Sequence, residues 1–262
     1  MAGSLACVGI GMTLGAHICP LSKSYIEQAD VVFSAVSHGI TELWLQEMHP
    51  NVRSLQQYYQ EGKSRQITYN EMVNAMMTEV RAGKKVVGAF YGHPGVFAQA
   101  PHKSIAMAKA EGFAAKMIPG ISAEDCLIAD LGIDPGRFGC QQFEASQFMF
   151  YERKYDPSCY LILWQIGLAG DRSLAKFSTG AAHRQVLIEL LGEVYSMDHQ
   201  VILYEAAVLP IDKIRIESVS LSDLKHADIH MHTTLVIPPN QKMKLNEKLV
   251  ARLAEIEQEL AQ

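Results

Sequence analysis

The seven residues Tyr91-Gly-His-Pro-Gly-Val-Phe97 constrain this chain more than any other stretch. They follow the apolar run Val86-Val-Gly-Ala-Phe90, which reads as a buried parallel strand. Gly92 and Gly95 permit positive φ, while Pro94 lacks an N–H and pushes His93 out of the helical region. The chain must therefore turn irregularly where the strand ends. Open α/β sheets bind ligands in the crevice at the carboxyl ends of their strands. A tight loop there can offer backbone groups to a small molecule and aim Tyr91 and His93 at it. The same residues would also make an ordinary strand-to-helix connector, and the pattern alone leaves both readings open.

Strand-like and helix-like segments alternate along the chain. Ala6–Ile10, Val31–Ser34 and Val86–Tyr91 are short apolar runs expected to form parallel strands. Thr68-Tyr-Asn-Glu71 has the form of a capping box, with Met72, Val73, Met76, Met77 and Val80 at helical spacing and Gly83 at the end. Pro101–Glu111 reads as a further helix, and Ser122-Ala-Glu-Asp125 can cap another. Strands are expected at Tyr160–Gln165, Val201–Glu205, Ile214–Val219 and Thr234–Ile237, followed by an amphipathic helix over Leu245–Ala261. A boundary near Pro119 divides the chain into an α/β domain over 1–118, a second over 119–240 and a tail helix over 241–262.

The 262 residues suffice for two such domains. A net charge of −5 gives no global attraction to nucleic acid or an anionic membrane. Cys7, Cys19, Cys126, Cys140 and Cys159 are scattered without a C-x-x-C pair, which fits a reduced, cytoplasmic protein rather than a disulfide framework. No apolar run reaches the roughly 18 residues of a membrane span, and the chain opens on a glycine-rich strand without a signal-peptide layout.

The loop at Tyr91 resembles the Gly-Asp-Pro-x-x-Phe element of the tetrapyrrole methylase superfamily, whose members use S-adenosylmethionine. Other elements follow in that family's order between residues 5 and 238: Val8-Gly-Ile-Gly-Met12, Gln28-Ala-Asp-Val-Val-Phe33, Ile118-Pro-Gly-Ile-Ser-Ala123, Trp164-Gln-Ile-Gly167, Val201-Ile-Leu-Tyr-Glu205 and Thr233-Thr-Leu-Val-Ile237. The resemblance implies a two-domain class III methyltransferase fold, α/β throughout, with the cofactor in the interdomain cleft.

The segment Gln56–Tyr69 carries Tyr58, Tyr59, Tyr69 and Arg65. With the helix starting at Thr68, Tyr69 falls at the first helical position, where the dipole favours negative charge, and Arg65 can lie near enough to support a phenolate. The alternative is a partly exposed loop whose tyrosines merely pack. Tyr59, Arg65, Tyr69 and Tyr91 resemble in order and spacing the active-site set of borosin α-N-methyltransferases, which methylate backbone amides of a peptide. Gln165 and the histidine of Tyr-Gly-His-Pro-Gly-Val-Phe also follow that branch.

A peptide nitrogen delocalises its lone pair into the carbonyl and is a poor nucleophile. Methylating it requires a proton acceptor and a donor to the amide oxygen. The resemblance implies Tyr69, tuned by Arg65, as acceptor, Tyr59 (or less readily Tyr58) as donor, and Tyr91 beside the reacting atoms. It implies a cofactor pocket lined by Tyr91, His93, Val96, Phe97, Ser122, Ala123, Gln165, Ala206, Thr233 and Thr234, with Met12 at its edge, holding S-adenosylmethionine and then S-adenosylhomocysteine.

Other residues carry less. His230-Met-His232 places two imidazoles on one face of a strand, but without carboxylate or thiolate ligands at a known spacing no metal site is expected. His17 and Cys19 are read as structural or lining residues, and Lys84-Lys85 as a solvated helix end. Tetrapyrrole enzymes have an Asp in the first loop where this chain has Leu14, which weakens a tetrapyrrole C-methyltransferase reading. The acidic balance counts against RNA as substrate, and a catalytically inactive cofactor-binding scaffold is the reading from a different class. The sequence ends at Gln262 without a hydrophobic substrate stretch, so the expectation is a split borosin enzyme: a homodimer acting on a separate precursor, two copies of each per heterotetramer, with no nucleic acid or membrane partner.

Overall fold

A computed structural model describes residues 2–36 and 38–261. Two five-stranded sheets organise it. The first contains β1 (Ser4–Gly9), β2 (Val31–Ala35), β3 (Val52–Ser54), β4 (Lys85–Phe90) and β5 (Ala114–Ile118), all parallel, in the order β3-β2-β4-β1-β5. The second contains β6 (Cys140–Glu144), β7 (Tyr160–Trp164), β8 (Gln200–Glu205), β9 (Arg215–Ser220) and β10 (Thr234–Ile237), in the order β6-β7-β10-β8-β9. Only the β6–β7 pair of this sheet is parallel.

The parallel strands are apolar runs because helices cover both of their faces. One face of the first sheet packs Leu5, Cys7, Val31, Phe33 and Val86 against Met72, Val73, Met76, Met77 and Val80 of the helix Arg65–Arg81. The methionines are therefore core filler, as their helical spacing suggests. The other face buries Ala6, Val8, Val32, Val87 and Ala89 against Ile26 and Leu45. Sheet order places β1 beside β4, so the loops leaving those two strands meet. Gly11 N–H donates to the Gly92 carbonyl (3.2 Å) and Gly92 N–H to that of Gly11 (2.8 Å).

The helix expected to start at Thr68 begins instead at Arg65, capped by the Ser64 side chain on the Gln66 N–H. The Thr68 hydroxyl donates to the Tyr58 carbonyl, and Glu71 pairs with Lys63, so neither forms the expected box. The box at Ser122 does form, with Asp125 closing it over the helix Ala123–Leu131. β7 ends at Trp164 because Gln165 turns left-handed, at φ 59°. The tail helix runs from Glu247 to Leu260 and buries none of its residues.

Three backbones meet where the first sheet opens toward the second. A Cβ placed on Gly9 would lie 2.6 Å from the Gly92 carbonyl oxygen and 2.7 Å from Gly120 Cα, and one on Gly120 would collide with the same carbonyl. Backbone cannot swing aside as a side chain can. Gly9→Ala should therefore cost at least about 2 kcal/mol of stability, read as a lowered denaturation midpoint. Gly39→Ala, whose Cβ meets nothing within 4 Å, should cost nothing by the same measurement.

Candidate functional site

The crossing glycines fix where the loop Tyr91–Phe97 runs. Tyr91 N–H donates to the Ala35 carbonyl, tying the loop's start to the end of β2. His93 Nδ1 accepts the Gly95 N–H at 2.9 Å, and the His93 carbonyl accepts the Val96 N–H, so this turn is stabilised from within. Met12 Sδ lies 3.2 Å from where a Cβ on Gly92 would stand. Phe97 adopts φ 50°, an uncommon conformation for a bulky residue. Its ring packs against Trp164 at the end of β7, with centroids 5.6 Å apart, so the loop reaches the second sheet. The Trp164 indole in turn donates to Gln142.

Tyr59, Arg65, Tyr69 and Tyr91 come together beside this loop. The Tyr59 and Tyr69 rings meet edge to face with centroids 6.5 Å apart, and the Arg65 guanidinium lies 5.8 Å from the Tyr59 centroid. Burial raises the Tyr59 pKa well above the ordinary phenol value; nearby Tyr69 and Tyr91 add to the rise and Arg65 opposes it. Tyr91 is raised too, by desolvation around its hydroxyl first and Tyr69 second, against Arg65, although the side chain as a whole is exposed. Tyr59 and Tyr91 therefore remain protonated hydrogen-bond donors at neutral pH. Tyr69 is the fifth residue of its helix rather than the first. The dipole acts mainly on the first turn, so Arg65 is the positive charge near this phenol. Tyr58 closes the short helix Gln56–Tyr58, and its carbonyl accepts from Lys63 and Thr68.

Residues of the second sheet gather at the end that faces this loop. Gln165 follows β7, Ala206 follows β8, and Thr233 and Thr234 lead into β10, which runs antiparallel to both. Ser122 is a buried helix cap whose hydroxyl donates to Asp125, and Ala123 packs on the apolar layer below it. The Gln165 amide makes no hydrogen bond among the described residues, which leaves it available to a ligand. Thr233 is fully buried; its hydroxyl accepts the His230 N–H (2.8 Å) and donates to Glu205 (2.5 Å).

Glu205 is the carboxylate whose proximity to the histidine pair the sequence did not reveal. His230 Nδ1 and His232 Nε2 lie 2.9 and 3.2 Å from its oxygens, so these residues have the composition of a metal triad. Arg215 occupies the same carboxylate at 2.8 Å, however, and a cation would have to displace a guanidinium. The cluster reads better as a buttress for Thr233. Burial alone would raise the Glu205 carboxyl, but hydrogen bonds from Thr233, His230 and Arg215, aided by His232, outweigh it and hold the pKa at about 2.

A cavity of about 890 Å³ opens on the first-loop side of the same seam, lined among others by Thr13, His17, Cys19, Ile121, Asp125 and Ala207. It includes none of the tyrosines and touches the expected cofactor set only through the chain neighbours of Met12, Ser122 and Ala206. The first loop itself crosses to the second half: Leu14 N–H donates to the Val208 carbonyl and Thr13 Oγ1 to that of Ala207. His17 and Cys19 line the cavity while serving the local fold, His17 accepting the Thr13 N–H and Cys19 capping the helix Pro20–Glu27.

Sequence reasoning missed the segment Asp171–Phe177, which packs on the tyrosine–arginine segment from the second half. Gly62 N–H donates to the Ala175 carbonyl, Arg65 N–H to Leu174 (2.8 Å), Arg65 Nη2 to Lys176 (2.9 Å), and Phe177 N–H to Glu61. Arg65 also lies over the Phe177 ring. The only local signal was Asp-x-Ser at Asp171, which many surface turns share.

Comparison with known proteins agrees with this architecture. The family model for Tetrapyrrole (Corrin/Porphyrin) Methylases matches residues 4–224, and the chain belongs to that family. The fold is that of a cobalt precorrin-4 methyltransferase (TM-score 0.63, 18% identity, 90% of this chain and 94% of the other) and of a uroporphyrin-III-C-methyltransferase from Thermus thermophilus (TM-score 0.62, 16% identity, 91% and 93%). Within the family it falls on the borosin branch. It is 42% identical over 258 residues to the methyltransferase/gymnopeptides precursor protein of Gymnopus fusipes and 39% identical over 259 residues to the methyltransferase/omphalotin A precursor protein of Omphalotus olearius. Over 261 residues it is 39% identical to a methyltransferase/type I borosin precursor protein of Coprinopsis marcescibilis. These matches cover 96% of this chain but 61%, 61% and 67% of the relatives, whose names join a methyltransferase to a peptide precursor.

The Glu205 buttress has a testable pH dependence. A carboxyl whose pKa is lowered on folding contributes stability that is fully present above its unfolded value, about 4.3, and is lost as pH falls through about 2. Denaturation midpoints of wild type and Glu205→Gln should thus differ most above pH about 4.3 and converge below it.

Proposed function

We propose that this chain is an S-adenosylmethionine-dependent methyltransferase acting repeatedly on backbone amide nitrogens of a precursor peptide, offered as a separate chain. The observation that carries the reading is the meeting of Tyr59, Arg65, Tyr69 and Tyr91 at the carboxyl end of β4, opposite the strand ends of the second sheet. The 34–42% identity to borosin-branch proteins over 96% of the chain supports it.

The seam suits the cofactor by its own chemistry. Gly9, Gly92 and Gly120 bring three backbones into contact at the strand ends without a Cβ between them, and the Gln165 side-chain amide makes no hydrogen bond among the described residues. The turn at His93 and the strand ends at Ala206 and Thr234 complete the set of residues that would hold the group, with Met12, Val96, Phe97, Ser122, Ala123 and Thr233 around them. When bound, S-adenosylmethionine supplies an electrophilic methyl on a sulfonium.

The chain's residues supply what a peptide amide lacks. Tyr69 accepts the amide proton, and Arg65 favours the charge that forms on the phenol. Tyr59, kept protonated by its burial, donates to the amide oxygen as negative charge develops there. Tyr91, also protonated, stands beside the reacting atoms. The Phe97–Trp164 contact helps exclude water from the seam.

Mass spectrometry after incubation with S-adenosylmethionine and precursor peptides tests this reading. Mass added in methyl increments, placed on backbone nitrogen by fragmentation, is the expected result; cofactor binding without any methylation would favour a scaffold. Tyr69→Phe should slow single-turnover methylation about 10²–10⁴-fold and Tyr59→Phe by about 10²-fold, while cofactor affinity measured by calorimetry stays near wild type. A Tyr69→Phe variant that turns over at the wild-type rate would remove Tyr69 from its assigned role.

The assembly proposed is a homodimer, with two precursor chains in the full complex. Its support is the tail helix, which exposes Leu249, Val250, Leu253 and Leu260 and needs an apolar partner. Light scattering of the free enzyme should give twice the chain mass, and an active monomer at micromolar concentration would defeat the proposal.

A further inference from the structure

We propose that Asp171 is a positioning residue for methyl transfer: it shapes the segment Asp171–Phe177 so that the carbonyls of Leu174 and Lys176 hold Arg65 against Tyr59. The inference rests on the function proposed above and goes beyond it by assigning a residue that never meets the substrate. Asp171 is 5% exposed, and both carboxylate oxygens are used. Oδ1 accepts Ser173 N–H (2.9 Å) and Ser173 Oγ (2.6 Å); Oδ2 accepts the N–H groups of Ala175 and Lys176, each at 3.0 Å. The carboxylate thus ties down the backbone on either side of Leu174.

Leu174 needs that support. Its φ of 54° is left-handed, an unfavourable conformation for a residue with a side chain, and its side chain is exposed and repays little. The conformation belongs to a segment whose carbonyl meets the Arg65 N–H at the start of the helix, while the Lys176 carbonyl meets the guanidinium. Phe177 covers the guanidinium's other contact, and its N–H is held by Glu61. Burial would raise the Asp171 carboxyl, but the hydrogen bonds from Ser173, Lys176 and Ala175 outweigh it and hold the pKa at about 2, so the ionised acceptor persists at any pH of use.

Arg65 is where this scaffold reaches the chemistry. It is the charge that lowers the pKa values of Tyr59 and Tyr91 against burial. The other charged side chains of the tyrosine–arginine segment Gln56–Tyr69 are engaged elsewhere: Lys63 pairs with Glu71, and Glu61 holds the Phe177 N–H. Releasing the segment would let the guanidinium drift into solvent without removing any residue from the site.

Asp171→Asn and Asp171→Ala in the full chain test this, with Asn deciding if Ala does not fold. Cofactor affinity by calorimetry should stay within about twofold of wild type, while single-turnover methylation falls about 10–10²-fold, the scale of a small misplacement at a reacting centre. In an Arg65→Ala background the Asp171 substitution should have no further effect on rate; effects that simply multiply would show a general structural role and overturn the proposal. A second readout does not depend on methylation. In native-state hydrogen exchange, the Gly62 and Arg65 N–H groups, which donate to the Ala175 and Leu174 carbonyls, should shift to faster exchange in Asp171→Asn, and unchanged protection would overturn the inference. If that shift appears but no peptide is methylated, the positioning inference stands and the functional reading fails.

Discussion

The close approach of Gly9, Gly92 and Gly120 is the constraint on which the site depends. Each glycine follows or ends a strand of the first sheet, and each belongs to a motif visible in the sequence. With the three backbones in contact, the loop after β4 cannot sag toward the sheet. It projects outward, carrying Tyr91 to the arginine and Phe97 to Trp164. A single methyl group at the crossing would push these elements apart, which explains why glycine stands where conformation alone would not require it: Gly9 lies within a strand.

The electrostatics of the site are a competition between burial and one charge. Dense surroundings favour neutral phenols, and this effect is the largest at both Tyr59 and Tyr91. Arg65 acts against it from a position fixed by the second half of the chain, through the carbonyls of Leu174 and Lys176. Placing the positive charge across the seam from its supporting segment couples the chemistry to the packing of the two sheets. The same halves are joined by Leu14 to Val208 and by Phe97 to Trp164, so the tyrosine cluster lies within a clasped region rather than on a free loop.

How much of this was legible in the sequence follows from where each residue's partners lie. The central strands β1, β2, β4, β7, β8 and β10 are apolar because both faces are covered, and all of them were read. The strands overlooked are β3, β5 and β6, each at a sheet edge, where Arg53, Lys116 and Gln141–Gln142 break the apolar run. β9, also an edge, was readable through its alternation. The four residues Tyr59, Arg65, Tyr69 and Tyr91 could be nominated because resemblance supplied their order, and the structure brings them together. The helix start was misread because two candidate caps lie four residues apart, Ser64 and Thr68. Only the fold reveals that the Thr68 hydroxyl is already bonded to the Tyr58 carbonyl. Glu205 beside the histidine pair, and Asp171 behind Arg65, are products of long-range packing; Glu205 left no local trace, and Asp171 only an Asp-x-Ser turn signal that many surface turns share.

On the proposed function, these placements account for how a fold known from tetrapyrrole methylation would accommodate a peptide. On that reading the sheets and their glycine crossing would supply a cofactor seam, whereas the tyrosine–arginine segment lies between β3 and β4 and adds to that seam from one side. A backbone amide, unlike an activated carbon, must lose a proton and have its oxygen charge met at once. One phenol cannot do both, because a donor must hold its proton when the acceptor takes another. In the proposed assignment Tyr59, whose pKa is raised, keeps its proton and donates to the oxygen, while Tyr69 takes the proton of the amide. On the proposed function, the choice of substrate rests on how these phenols are placed and where one guanidinium is held, more than on the sheet that carries them.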